Sequence, residues 1–453
     1  MNNLLVDSSP SKEFFLNMII KDVTVESSIL DLIDNSIDAY KRKKTEVGQG
    51  NIDISYSLSE DYFSINDNCG GMSREIAVSK AFRFGSNRER NAGTLGMYGI
   101  GMKRSIFKIG SDFVVESKTD SDSFRVYMDH DEWINLRNEN TDEDLWKFHL
   151  DDVSLDFENG VHIKIKKLSE SLRTYLKMRN NIDALREKIS SAYGDLLGNG
   201  IMISINGEKV HYSNEFLYEA SFLKTYVKSY DIGSDKDIKI RIVAGVGDPS
   251  PKNAGWDIIC NGRAVIQSDR TELTGWESAY DLEEESSVDE AFQGKAIPAF
   301  HNDFARFRGY VYIDCDDPNK LPLNTTKDSI DKQHFVYQYI FREMRNVMGI
   351  ILPKLRKLQE AIRECKREGK VPPNEEFHKQ KVTTYLTVTT SKTEFRLELG
   401  EYHANERIKN IPLYIDERTV DKWKRYFEVD TNKALGEEIK KFVQERIITD
   451  EQL

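Results

Sequence analysis

Between Ile29 and Tyr40 the chain reads ILDLIDNSIDAY, a pattern that a helix sorts cleanly into two faces. At 100° per residue Ile29, Leu30, Ile33, Ile37 and Tyr40 share one side, while Asp31, Asp34, Asn35 and Asp38 crowd the other. Asp31–Asp34 and Asp34–Asp38 become like-charge neighbours at i,i+3 and i,i+4, at a cost of about 0.2–0.5 kcal/mol per pair. No Lys or Arg falls within the segment itself. Such a face is either solvated or meets a cation or a cation-bound phosphate, and the helix alone leaves both open.

The rest of the chain narrows the classes. Its 453 residues, 39% hydrophobic and 10% aromatic, suit a globular protein of two or three domains. Cys69, Cys260, Cys315 and Cys365 lie far apart, without CxxC or a His–Cys cluster, so neither a zinc site nor a disulfide framework is expected. The net charge of −12 argues against a uniformly basic nucleic-acid binder and still allows a local basic patch. No apolar run approaches the roughly 18–20 residues of a membrane span. MNNLLVDSSP lacks the charged-then-apolar order of a signal peptide, so a cytoplasmic, membrane-free protein is expected.

Helical periodicity over 12–45 is followed by alternating strands at 51–59, 62–68, 112–118, 123–129 and 160–168. A second block opens with a helical pattern at 172–197 and continues with strands and turns over 201–210, 238–247, 256–266 and 307–314. A third opens with a long helix over about 333–368, in which Pro353 suits a restart after a kink. GKVPPNEE (369–376) reads as a linker before a small mixed tail. The fold class expected is α+β, divided as 1–168, 169–332 and 333–453.

Two glycine-bearing stretches follow the acidic helix. In INDNCGGM an apolar strand delivers Asp67 into a tight turn, where Gly70 and Gly71 permit backbone that side chains forbid and close approach of a planar ligand. In GTLGMYGIGMKRS, Gly93, Gly96, Gly99 and Gly101 precede a possible helix start at Met102–Lys103, which is an anion-binding arrangement. The spacing is neither that of a P-loop nor that of a dinucleotide-binding turn.

In order and spacing, ILDLIDNSIDA, DNCGGM and GMYGIGMK resemble the three boxes of the GHKL ATPases, the superfamily of DNA gyrase, the ninety-kilodalton heat-shock chaperones, histidine kinases, MutL and MORC proteins. The resemblance covers residues 1–168 and implies a Bergerat-fold α/β sandwich that binds ATP and Mg²⁺. By position, Asn35 would hold the Mg²⁺, Asp67 would accept from the adenine amino group, Gly71 would flank the base, and Met72 would belong to the same binding site. Gly96, Gly99 and Gly101 would offer amides to the phosphates, with Lys103 nearby, and residues 73–98 would form a lid. Asp31 stands where the family carries a glutamate general base, one methylene shorter but chemically able. Cys69 replaces a glycine of the second box, and Val161 stands where many members carry a threonine.

Downstream, KLPLNTTKDSI (320–330) resembles the loop through which a second, transducer-like domain sends a basic residue to the γ-phosphate, here Lys327 with Asn324 shaping the loop. LREKISSAYGDLL…ISINGEKV and CNGRAVI look like second domains of MORC type, and the closest resemblance is to MORC-like prokaryotic GHKL proteins. The resemblance implies a slow ATPase and an ATP-dependent homodimer. DNA or a nuclease or effector protein would be its partner, in antiviral defence. Alternatives are a chaperone-like remodeller and a nucleotide sensor without turnover. On the helix, KLRKLQEAIRECKREGK (354–370) is a basic stretch that reads as a solvated face, a partner contact or a nucleic-acid contact.

Overall fold

The computed structural model describes residues 10–84, 100–137, 145–212, 216–277, 297–324, 327, 329–369, 371–381, 392–399 and 415–450. The fold is α+β, and the chain divides into two compact units, Met1–Gly400 and Glu401–Leu453. The larger unit carries two hydrophobic cores, one in each of two lobes.

The first lobe is an α/β sandwich. It runs α1 (Lys12–Ile20), α2 (Val25–Val47), β1 (Gly50–Ser57), β2 (Tyr62–Asp67), α3 (Arg74–Ile76), α4 (Gly101–Ile109), β3 (Gly110–Lys118), β4 (Ser123–Met128), α5 (His130–Asn135), β5 (His149–Asp152) and β6 (Gly160–Leu168). It continues through α6 (Glu170–Lys177), α7 (Arg179–Ala192), α8 (Gly194–Leu197), β7 (Ile201–Ile205) and β8 (Glu208–Lys209). Its sheet has the order β5-β4-β3-β6-β2-β1-β7-β8, antiparallel except where β7 joins β1 in parallel with Ile52 opposite Ile203. Alternation does the sorting. Ile52, Ile54, Phe63, Ile65, Phe113, Val115, Ile163 and Ile165 share one buried core with Ile29, Ile33 and Ile37 of α2 and Ile106 of α4.

One expectation changes here. The single helix expected over 172–197 is three, because Met178 is extended and Tyr193 leaves the helical region (φ −123°, ψ 19°). Reciprocal bonds between Tyr175 and Asn181 fasten the first break, and the second turns the buried Tyr193 hydroxyl toward α2. Past Leu168, the last residue of β6, the same core continues through Leu172, Ile189 and Ile203 to Val210.

The second lobe contains β9 (Phe216–Glu219), β10 (Leu223–Lys224), β11 (Tyr226–Ile232), β12 (Ile238–Val246), β13 (Gly255–Cys260), β14 (Arg263–Asp269), β15 (Phe307–Cys315) and α9 (Phe335–Glu368). The segments after α9 return to it as β16 (His378–Lys381), β17 (Lys392–Thr393) and β18 (Arg396–Leu397), which pair with β9, β11 and β10. Its main sheet has the order β14-β13-β15-β12-β11-β17. Burial of both faces makes β12 and β15 almost continuously apolar: Val311 and Ile313 pack with α9, while Tyr310 and Tyr312 join a small cluster with Val243. One helix runs through Pro353, and Val336, Ile340, Met344, Ile351, Leu355 and Leu358 line its buried side.

The smaller unit holds α10 (Glu417–Tyr426), capped by Asp416, and α11 (Asn432–Asp450). Phe427 meets Phe442 edge-on at 5.9 Å. Among the described residues no helix is long and apolar enough to cross a membrane.

Candidate active site

The acidic face of α2 is not solvated. Asp31, Asp34 and Asp38 are all buried, as are the isoleucines opposite them, so the helix is enclosed on both sides. Buried carboxylates persist only when paired, and the partners come from distant sequence. Arg104 of α4 reaches Asp31 Oδ2 at 2.8 Å. Lys327 Nζ lies 3.2 Å from Asp31 Oδ1 and 2.7 Å from Asp34 Oδ2. Arg263 also pairs with Asp34, whose other oxygen accepts from the Tyr193 hydroxyl at 2.7 Å.

Lys327 and Arg263 both belong to the second lobe, and the turns that carry them explain their reach. Cys260 pairs with Arg263 across a two-residue hairpin, Asn261–Gly262, with φ of 46° and 79°, the left-handed pair that Asn-Gly favours. The Asn261 side chain bonds both the amide and the carbonyl of Cys315, and Lys41 of α2 donates to the Asn261 carbonyl. The hairpin tip is thus tied to its own sheet and to α2 at once. In the other turn, Lys327 N donates to Asn324 O, Asn324 N to Ser329 O and Ser329 N to Asn324 Oδ1. Lys327 itself holds left-handed backbone (φ 54°), a strained conformation for a non-glycine residue.

Charge follows from this packing. Burial alone would raise the Asp34 carboxyl, but the positive fields of Arg263 and Lys327 prevail and hold it below the ordinary carboxylate value. Burial would likewise lower Lys327, and Asp34 and Asp31 overcome it and keep the ammonium above its ordinary value. Tyr193 is raised well above the ordinary phenol range by burial and the Asp34 charge, so it stays a donor.

One turn farther along α2, Asn35 is half-buried. Its Nδ2 donates to Asp31 O at 2.8 Å, and among the described residues no hydrogen bond reaches its Oδ1. The adjacent Ser36 donates to Asp67 Oδ2 at 2.6 Å, and Asp67 Oδ1 accepts from the amides of Cys69 (2.9 Å) and Val161 (3.3 Å). Burial raises the Asp67 carboxyl despite these three bonds. Gly160 backs the turn so closely that a Cβ there would stand 1.8 Å from Asp67 O.

Gly71 lies at φ 71° with its α-carbon against the Lys118 carbonyl, 2.0 Å from where a Cβ would stand. Met72, half-buried, exchanges two backbone bonds with the Ser117 hydroxyl, at 2.8 and 2.9 Å. These contacts pin the glycine turn to β3. Gly101 opens α4, whose first turn has no side-chain cap, and a Cβ on it would lie 3.6 Å from Asp31 Oδ2. Lys103, expected near phosphates, is buried and donates to Ala81 O at 2.7 Å, above the Phe84 ring. Its neighbour Arg104 is the cation that faces Asp31. Gly96 and Gly99 lie outside the described residues, as does much of the lid expected over 73–98.

The structure therefore brings Asp31, Gly101 and Lys327 together, with Asn35 one turn away on the same helix and Asp67 linked to that helix through Ser36. Arg104, Arg263, Tyr193 and Ser36 were not singled out in the sequence. The signals were present, as an Arg after Lys103, an Arg after an Asn-Gly turn and a Ser after Asn35, but each is ordinary until the partner is known.

Residues 23–156 match the family model described as histidine kinase-, DNA gyrase B-, and HSP90-like ATPase. This segment, from just before α2 to just past β5, is similar to GHKL-type ATP-binding domains, whose family activity is ATP binding and hydrolysis. Arg263 and Lys327 lie beyond it. No curated protein matches the chain at a significant level.

Proposed function

We propose that the chain is a Mg-ATP-dependent conformational switch that hydrolyses ATP slowly, with its site on the first lobe and its sensor on the second. The observation that carries the reading is Lys327, a lysine some 300 residues downstream, buried against Asp31 and Asp34 beside the start of α4.

The residues present fit the nucleotide and its metal. Asn35 offers an open amide oxygen, the hard donor that Mg²⁺ accepts alongside phosphates and waters. Among the described residues no group of three acidic, His or Cys side chains is arranged to hold a metal, and Mg²⁺ needs no such cage. The glycine turn at 70–71 lets backbone approach a flat base without a Cβ in the way. Bound Mg-ATP would supply the electrophilic γ-phosphorus and the charge that Lys327 answers. Asp31 would take the proton of the attacking water. Asp67, held by Ser36 and two amides, would fix the adenine edge. Lys327, turned from α2 toward the phosphates, would stabilise charge developing there and carry the nucleotide state to the second lobe.

Beyond this, we read the switch as MORC- or MutL-like: two protomers associating on ATP and acting with DNA or a nuclease or effector partner, in genome defence. The two-lobe arrangement with a lysine reaching across supports that branch. The exposed Arg356, Lys357, Lys366 and Arg367 of α9 offer a basic strip to a polyanion. ATP turnover measured with and without duplex DNA, with oligomeric state followed alongside, tests it. Stimulation by DNA that weakens with salt is the expected result. Stimulation by an unfolded polypeptide instead would move the reading to protein remodelling, and tight binding without turnover to a sensor.

A further inference from the structure

Around Asp31 and Asp34 the structure sets three cations against two carboxylates: Arg104 on Asp31, Lys327 on both, and Arg263 closely on Asp34 and more loosely, at 3.8 Å, on Asp31. All five side chains are buried. One positive charge is in surplus, and which one can be spared depends on the pairing. Without Lys327, each carboxylate keeps a guanidinium of its own, and Asp34 also keeps the Tyr193 hydroxyl. Without Arg263, Lys327 is the ion-pair partner left to Asp34 among the described residues, and an uncompensated charge in a desolvated site is strongly disfavoured. The lysine would then be held where it is.

The side chains suit this division. A guanidinium is a rigid fork that stays on a carboxylate, and Arg263 stands at the first position of β14, behind a turn tied to Cys315. A lysine is a point charge on a flexible stem, here shared between two carboxylates from a strained backbone position.

We propose that Arg263 is a positioning residue of the ATPase: it neutralises Asp34 so that Lys327 is free to leave α2 for a triphosphate. The proposal rests on the ATP-switch reading and adds a residue to it from outside the segment that matches the ATPase family.

The test is a double-mutant cycle on the full chain, read by ATP affinity and by kcat. Arg263→Gln is expected to lower kcat about tenfold, within the usual span of coupling between sites, with ATP affinity changed no more than about twofold. Adding Asp34→Asn removes the charge that traps the lysine, so the double variant is expected to regain most of that kcat. Arg263→Lys keeps the charge without the fork and is expected to retain a kcat well above that of Arg263→Gln. Unchanged kcat in Arg263→Gln overturns the proposal. So does a loss that Asp34→Asn fails to relieve, since a merely structural role predicts no rescue. Should Arg263→Gln not fold, Arg263→Gln in the Asp34→Asn background decides: kcat equal to that of Asp34→Asn alone upholds the charge role, and a further tenfold loss overturns it. Failure of the unaltered chain to bind ATP would remove the switch reading itself, a result separable from any effect at Arg263.

Discussion

At the level of single residues, the acidic face of α2 resolves into three different jobs. Asp34 is an ion-pair partner for the second lobe, Asp31 faces the start of α4, and Asn35 keeps an oxygen open. Asn35→Ala is expected to abolish Mg-dependent ATP binding, because an apolar methyl replaces the donor that would hold the metal. Titration calorimetry with and without Mg²⁺ reads it directly, and unchanged affinity would remove Asn35 from the site. Asp31→Asn preserves shape and one acceptor oxygen but cannot take a proton. It is expected to bind ATP and lose phosphate release by about 10²–10⁴-fold, the usual contribution of a general base. Undiminished release would exclude Asp31 from that role.

At the level of elements, two tight turns set the geometry, and each depends on left-handed backbone. Gly71 is held by β3, with no room for a Cβ beside the Lys118 carbonyl. Gly71→Ala combines that clash with the cost of left-handed backbone, and the folded state is expected to lose about 2 kcal/mol or more. A lowered urea midpoint with an unchanged slope would show it, whereas an unshifted midpoint would mean that the turn relaxes freely. Within the stretch expected as strand and turn over 256–266, Asn261–Gly262 makes a hairpin. What periodicity did not show was its destination, because a turn signal specifies local dihedral angles and carries no information about what the tip meets. The helix pattern over 172–197 failed for a related reason: Tyr175 and Asn181 fasten a break that helical spacing cannot reveal.

At the level of the whole molecule, the two lobes are joined through buried charge, which makes their coupling sensitive to acid. Asp34 is held below the ordinary carboxylate value in the folded chain, despite burial, by Arg263 and Lys327. Its contribution to stability is therefore present above the unfolded value of about 3.9 and is lost as pH falls through the native one. Asp67 is raised by burial, so its contribution has the opposite sign: full at low pH and lost as pH rises through the native value. In thermal melts from pH 6 downward, Asp34→Asn is expected to start less stable and to lose less on acidification than the unaltered chain. Parallel curves would show that Asp34 does not set the acid limit. Because the pairs are buried, this difference should persist in moderate salt, unlike that of exposed ion pairs.

By itself the sequence determined the α+β class, most strand positions, the acidic helix and the glycine turn at 70–71. These rest on periodicity and on backbone conformations available to few residues, which are local properties. It also pointed to Lys327, though only through likeness to a loop known elsewhere. Only the tertiary structure decided that α2 is enclosed and that Arg104 faces Asp31 while Lys103 turns to Ala81. It likewise decided that Ser36 ties the acidic helix to Asp67 and that Arg263 shares Asp34 with Lys327. The reason is physical: a buried carboxylate needs a countercharge, but the need does not say where along the chain the countercharge lies. That is settled by the packing of two lobes whose contacting residues stand more than two hundred positions apart.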